Sequence, residues 1–272
     1  MNLRKLWVWP MVSHMGSKVA GAAQTEENPG PISTKVRSPR ERKLIILLLL
    51  LLTFCAAWVN MLSFLSLGRV FASFMTGNFL FIGVGMLQGS HALLIRAIIA
   101  VGVYFISITL SSLTLGRMSE PHTPLSRFHR FVRFLLPEWF FLLAFALLWQ
   151  FTSGLNHNDA MQITLLCIAV FAMGIQGVLI QKFNFPGVIV NALTGTEILL
   201  GRRLAQDTIG HRDWWRNTWF LAAECLTYIL SAIIVVLTMN FFAVQFVPVG
   251  IVTIAIGILL AFGYREKNLL AR

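Results

Sequence analysis

The sequence predicts an all-α integral membrane protein with two internal repeats, built from about six full transmembrane helices plus two re-entrant or broken ones. Three observations predict it. Of 272 residues, 57% are hydrophobic and 12% charged, with a mean hydropathy of +0.74; a soluble chain carries roughly twice that charged share. Apolar runs of about 18 residues or more recur, long enough to cross a hydrocarbon layer of ~30 Å at ~1.5 Å per residue. The runs lack the two-residue alternation of a barrel, and lipid leaves helices as the other way to satisfy the backbone.

The elements follow in order. Residues 1–43 hold eight Lys or Arg against three Glu, with Pro29, Pro31 and Pro39, and read as a disordered basic cytoplasmic tail. Trp7-Val8-Trp9 is too short for a signal-peptide core. The polytopic domain, 44–272, has eight apolar segments: Leu44–Ser66, Val70–Leu87, Leu93–Leu115, Leu135–Phe151, Ala160–Ile180, Val188–Leu200, Trp215–Thr238 and Phe241–Gly263.

Charge orients them. The basic stretches are the tail, Arg117–Arg133, Arg202–Arg216 and Arg265–Arg272, whereas 152–159 holds no Lys or Arg. If all eight segments crossed, Arg117–Arg133 would face outward, against the positive-inside rule. If the second and sixth segments return to the side they entered, every basic stretch and both termini fall inside. Such a chain belongs in a bacterial inner membrane as a multi-pass protein. The net charge of +11 is thereby used up in loops facing anionic lipid, which argues against a nucleic-acid partner.

A repeat supports this count. Shifting the chain by 118 residues lays Thr76 on Thr194, Gly77 on Gly195 and Gly83 on Gly201. The copies are 44–151 and 160–263, and three full spans in each make the second inverted. Paired, glycine-interrupted segments of this kind point to a transporter's midplane site.

Asn60 to Gly83, with LSLGRVFASFMTGN at their centre, AMGIQG at 172–177 and LTGTEILLG at 193–201 resemble the YoaK-like family of bacterial membrane proteins. The likeness covers essentially everything after the tail. It implies a compact multispan inner-membrane protein whose activity is not established. An acidic residue often stands in that family where Asn60 stands here, and an Asn where Gly177 stands. This departure puts in doubt a proton relay drawn from that acid.

The candidate site comprises Thr76, Gly77, Asn78, Thr194, Gly195, Thr196, Glu224, Asn60, Gln176 and Asn191. Thr-Gly could unwind a helix and turn a positive dipole end towards an anion. Equally, the glycines could serve close packing and the threonines could bond their own backbone. Glu224 is the tenth residue of its segment, ~13 Å deep at ~1.5 Å per residue, where a carboxylate is costly and is a functional candidate by default. Glu197 fits a capping box with Thr194 as well as a site. Glu197 and Glu224 are taken as the acids well inside apolar segments. Asn60, Gln176 and Asn191 suit a polar cavity or interhelical bonds.

Other features have plainer readings. Arg96 is placed as snorkelling to the interface. Arg127, Arg130 and Arg133 interleave with Phe128, Phe131 and Phe134, as in a short helix lying on the membrane surface. Trp214, Trp215 and Trp219 suit interfacial anchors. Gly85-x-x-x-Gly89 is a weak packing signal, and Cys55, Cys167 and Cys225 read as small buried hydrophobes.

The sequence has no HExxH, GxSxG or P-loop and no metal-ligand spacing of His and Cys, so no enzyme, metal or cofactor is expected. The preferred function is a secondary transporter or channel for a small solute, compatible with an anionic one. The alternative is a non-transporting structural or binding protein. A lipid-active enzyme comes third, for want of a nucleophile and base. The bilayer is the expected partner, and homo-oligomerisation is left open.

Overall fold

In the computed structural model the described residues are 39–116, 124–152, 158–182, 194–207, 215–240 and 243–270. Among them are eight α-helices: α1 (Pro39–Ser66), α2 (Met75–Leu87), α3 (His91–Gly116), α4 (Pro124–Phe151), α5 (Asp159–Lys182), α6 (Thr194–Asp207), α7 (Trp215–Thr238) and α8 (Val247–Leu270). A 3-10 turn, Val244–Phe246, precedes α8. No strand occurs among these residues. The body comprises residues 43–272.

Six helices are long and apolar enough to cross a membrane; their spans are Lys43–Ser66, His91–Thr114, His129–Phe151, Asp159–Gln181, Trp219–Thr238 and Val244–Arg265. The 13-residue α2 and 14-residue α6 are not; at ~1.5 Å per residue each covers about 20 Å of a ~30 Å layer. Burial separates the long helices by role. Two thirds of the central window is buried in α1 and in α5 (67% each), against 17% in α3 and 28% in α7. The outer helices therefore turn Ile98, Phe105, Leu110, Ile229 and Ile233 outward, as a lipid-facing surface requires.

Hydrogen bonds sort the ends of the helices. Arg96, early in α3, packs over Gly68, just beyond α1, and bonds Asp159 and Gln162 at the start of α5, both at 2.8 Å. The end of α1 and the starts of α3 and α5 thus share one end of the body. Trp58 Nε1 donates to the Val244 carbonyl (3.1 Å), and Gln245 donates to Gln150 (2.6 Å). These bonds bring the end of α4 and the start of α8 to the same end. Lys43 of α1, Arg130 and Arg133 of α4 and Arg265 of α8 consequently gather at the opposite end. Helices α1, α4 and α7 run one way; α3, α5 and α8 run the other.

Helix α2 sits in a dip of the chain. Leu67–Phe74 fold back beside Asn60, inside the α1 span, and α2 then returns to a turn leading into α3. Gly89, at φ +64°, ends that turn with the Ser90 N–H on the Gly85 carbonyl (2.9 Å), a Schellman closure that glycine makes without Cβ strain. At Gly85 a Cβ would lie 2.9 Å from the Leu94 backbone nitrogen, so this glycine lets α3 lie close against α2. The two glycines do different jobs and do not form one packing face.

One expectation needs correction. The Arg127–Phe134 stretch is not a separate surface helix; it is the continuous beginning of α4, which runs through Pro137. Arg96 extends to the helix ends, where Gln162 and the exposed Asp159 hold its guanidinium. Smaller shifts concern boundaries: α1 begins at Pro39, inside the expected tail, and α2 begins at Met75 rather than Val70. Val188–Leu193 and Trp214 lie outside the described residues.

Candidate functional site

Polar side chains buried among apolar helices form three groups, all touching α1. Thr53 and Cys55 are two residues apart on that helix, about 200° around its axis at 3.6 residues per turn. They therefore face opposite sides and serve different groups.

On one side, α7 presents Glu224, fully buried. Thr53 Oγ1 donates to its Oε1 at 3.4 Å, and the Thr196 side chain also bonds the carboxyl. Glu224 Oε2 has no hydrogen-bond partner. Thr196 is the third residue of α6 and fully buried. The carboxyl thus lies against the first turn of α6, where orphan N–H groups give a helix its positive end. Gly195 is half-buried and Glu197 exposed. The Thr194 side chain and all of Asn191 fall outside the described residues.

On the other side is a carboxyl that sequence reasoning missed. Glu138 of α4 is fully buried, and its Oε1 accepts from Gln176 Nε2 of α5 at 2.9 Å. The Gln176 side chain also bonds Cys55. Glu197 and Glu224 are therefore not the pair of interior acids: Glu138 is interior and Glu197 is not. The error followed from starting the fourth segment at Leu135, which left Pro137-Glu138 at its rim. Helix α4 starts at Pro124, so Glu138 is its fifteenth residue. The available signal was the arginine–phenylalanine alternation, which has helical spacing and extends the helix backwards.

The third group surrounds the start of α2. Asn60 Oδ1 accepts from the Ser73 N–H (2.8 Å), and its Nδ2 donates to Ser73 Oγ (2.7 Å) and Tyr228 Oη (3.0 Å). Asn78 pairs with the backbone of Phe71 in both directions, accepting from its N–H at 2.9 Å and donating to its carbonyl at 2.8 Å. At Gly77 a Cβ would lie 2.7 Å from the Phe74 ring and 3.0 Å from the Phe71 ring. Phe64, Phe71 and Phe81 stack here, with centroids 5.0 Å and 5.7 Å apart along the series. Thr76 is exposed on the helix surface.

The ten candidate residues therefore do not form one constellation. Asn60, Gly77 and Asn78 share the third group, Thr196 and Glu224 the first, and Gln176 joins Glu138. Among the described residues no three His, Cys, Asp or Glu side chains lie close enough to hold a metal ion.

Six long apolar helices, two short ones and buried carboxyls in their midst define a multispan helical membrane protein. Residues 48–262 match the family described as "Protein of unknown function (DUF1275)", and the chain belongs to that family. It is similar to the UPF0700 transmembrane protein YoaK of Bacillus subtilis (strain 168), at 27% identity over 195 residues, covering 70% of this chain and 82% of that protein. No solved structure matches.

Proposed function

We propose that this protein is a secondary transporter or channel for a small solute, with its site where Glu224 meets the start of α6. The observation that carries the reading is the Glu224 carboxyl, buried with one oxygen unpartnered, between Thr53 and Thr196. An interior acid in a membrane helix is retained at a cost and marks a functional site by default. The carboxyl already occupies the positive end of α6, where an anionic solute would bind. A cationic solute, or one rich in hydrogen-bond donors, suits the site better than an anionic one.

The inverted-repeat architecture of transporters gains support from two features. Long, short, long and long helices follow one another twice, with α1 antiparallel to α5, α3 to α7 and α4 to α8. The two halves also exchange one serine-to-carbonyl hydrogen bond between corresponding helices, though not at positions the 118-residue shift superposes: Ser107 Oγ of α3 donates to the Phe171 carbonyl of α5 (2.6 Å), and Ser231 Oγ of α7 to the Phe54 carbonyl of α1 (2.8 Å). The arginine-rich end is assigned to the cytoplasm by the positive-inside rule, with both termini there and the body in a bacterial inner membrane.

The competing reading, a non-transporting structural or binding protein, draws on the third group, where Asn60 and Asn78 spend their bonds within the chain. Thiol labelling separates the two. In protein with Cys55, Cys167 and Cys225 replaced by alanine, Thr53→Cys and Thr196→Cys are exposed in native membranes to a small water-soluble reagent. Labelling at both, slowed in neither by lipid composition, is expected of a site reached by water. Complete protection of both from either face would overturn the transporter reading. In the same background, an impermeant reagent should reach Gly89→Cys and Asn158→Cys from outside but spare Ser126→Cys and Gly210→Cys.

A further inference from the structure

Glu138 and Gln176 raise a question that the Glu224 site does not answer. Both side chains are fully buried, and two oxygens of the pair have no hydrogen-bond partner: Glu138 Oε2 and Gln176 Oε1. Both atoms are acceptors while Glu138 is ionised, so neither can satisfy the other. The charge is uncompensated too. Among the described residues no ion pair involves Glu138. Its one hydrogen bond comes from the neutral Gln176 amide.

Among the described residues the surroundings supply no substitute. On α4 itself, His129, Arg130 and Arg133 lie one or more turns nearer the helix start; His129 and Arg133 are exposed. Helix α5 offers exposed Asp159, paired with Arg96, and half-buried Cys167. Helix α8 offers exposed Tyr264 and Arg265. Helix α1 contributes Cys55, a neutral thiol that bonds the same Gln176 side chain and brings no positive charge. An ionised carboxylate held this way would cost several kcal/mol in a low-dielectric interior.

We infer that Glu138 and Gln176 form a proton-binding site in the membrane interior, separate from the Glu224 site, whose ligand is a proton exchanged with water. One proton on Glu138 Oε2 resolves both defects. It neutralises the carboxylate and turns Oε2 into a donor for Gln176 Oε1. The existing N–H bond to Oε1 then becomes half of a reciprocal acid–amide pair. On loading, an O–H bond forms at Oε2 as one breaks in hydronium, leaving water; unloading reverses both. A metal ion fits the same atoms poorly. Hard cations take about six oxygens, whereas this group offers two free oxygens and a sulfur, an atom that softer metals prefer.

The site does not depend on the transporter reading, and infrared difference spectroscopy tests it on the full chain in lipid vesicles. The wild-type protein should show the carbonyl stretch of a protonated carboxylic acid that fades as the bath is made alkaline. That band should vanish in Glu138→Gln and persist in Glu224→Gln. In Gln176→Leu, which keeps the acid but removes its partner, it should shift to the frequency of a carboxylic acid free of hydrogen bonds. The helical amide band in the same spectra reports whether each variant is folded. If Glu138→Gln does not fold, the Gln176→Leu shift decides the matter alone. A Glu138 band absent from the wild type means a permanently ionised group and overturns the proposal. A band unmoved at any pH means a fixed structural proton and overturns it equally. Thiol labelling at positions 53 and 196 reports separately on the Glu224 site, so the two readings can fail independently.

Discussion

The two short helices carry nearly the same letters in their first turns, Thr-Gly-Asn after Met75 in α2 and Thr-Gly-Thr in α6, yet those turns have different occupations. In α2 the fourth residue, Asn78, closes on the chain's own backbone at Phe71, while Gly77 makes room for two phenylalanine rings. In α6 the third residue, Thr196, bonds a carboxyl on another helix. The contrast is chemical. An asparagine side chain carries its donor and its acceptor on separate atoms and can satisfy both backbone groups of one residue, whereas a threonine hydroxyl has a single oxygen that both donates and accepts. A motif repeated in sequence is therefore a fold device in one half and a candidate site in the other.

Mutations can break that comparison, beginning with the largest effect. Asn78→Ala strips the Phe71 N–H and carbonyl of their partners, at about 1–3 kcal/mol for each orphaned group. A large drop in the thermal unfolding midpoint in detergent is expected, and a midpoint unchanged from wild type would show that Asn78 is not a clip. Gly77→Ala comes next: its methyl would meet Phe74 at 2.7 Å, and forcing the rings apart costs about 1–3 kcal/mol. Unfolding followed by tryptophan fluorescence should register it without loss of helical content.

Thr196→Val should cost about 1 kcal/mol, the net worth of one hydrogen bond, because the shapes nearly match. If its unfolding midpoint fell as far as that of Asn78→Ala, the two helix starts would be doing the same structural work. The smallest effect is expected from Arg96→Gln. Its ion-pair partner Asp159 is 84% exposed, and exposed pairs contribute about 0.2–1 kcal/mol. Raising the salt concentration should shrink the difference from wild type, a response that the Asn78 and Gly77 variants should not share.

Reading from sequence succeeded where the physics is local to a segment. Trp215–Thr238 was bounded at both ends as found, since charged or polar residues flank a continuous apolar run. It failed where a segment's edge depended on which charges face water. Arg127, Arg130 and Arg133 looked like the outer limit of α4, yet the helix begins before them and takes Glu138 into the interior. It also failed on partners. Nothing in the spacing of Phe71 and Asn78 indicates that a carboxamide reaches back seven residues to a backbone unit. Nor does anything place Gln176 beside an acid 38 residues earlier.

Composition and hydropathy alone determined that this chain is a membrane bundle of apolar helices, because the cost of unpaired backbone in lipid admits few alternatives. The arginines set the expectation that six of the eight segments cross, because charge is expelled from hydrocarbon whatever the packing. Tertiary structure decided which polar side chains meet. Thr53 and Cys55, two residues apart on α1, serve two acids on opposite faces of that helix. Such pairings depend on how helices distant in sequence are rotated against one another, and that rotation is set by packing that no single segment encodes.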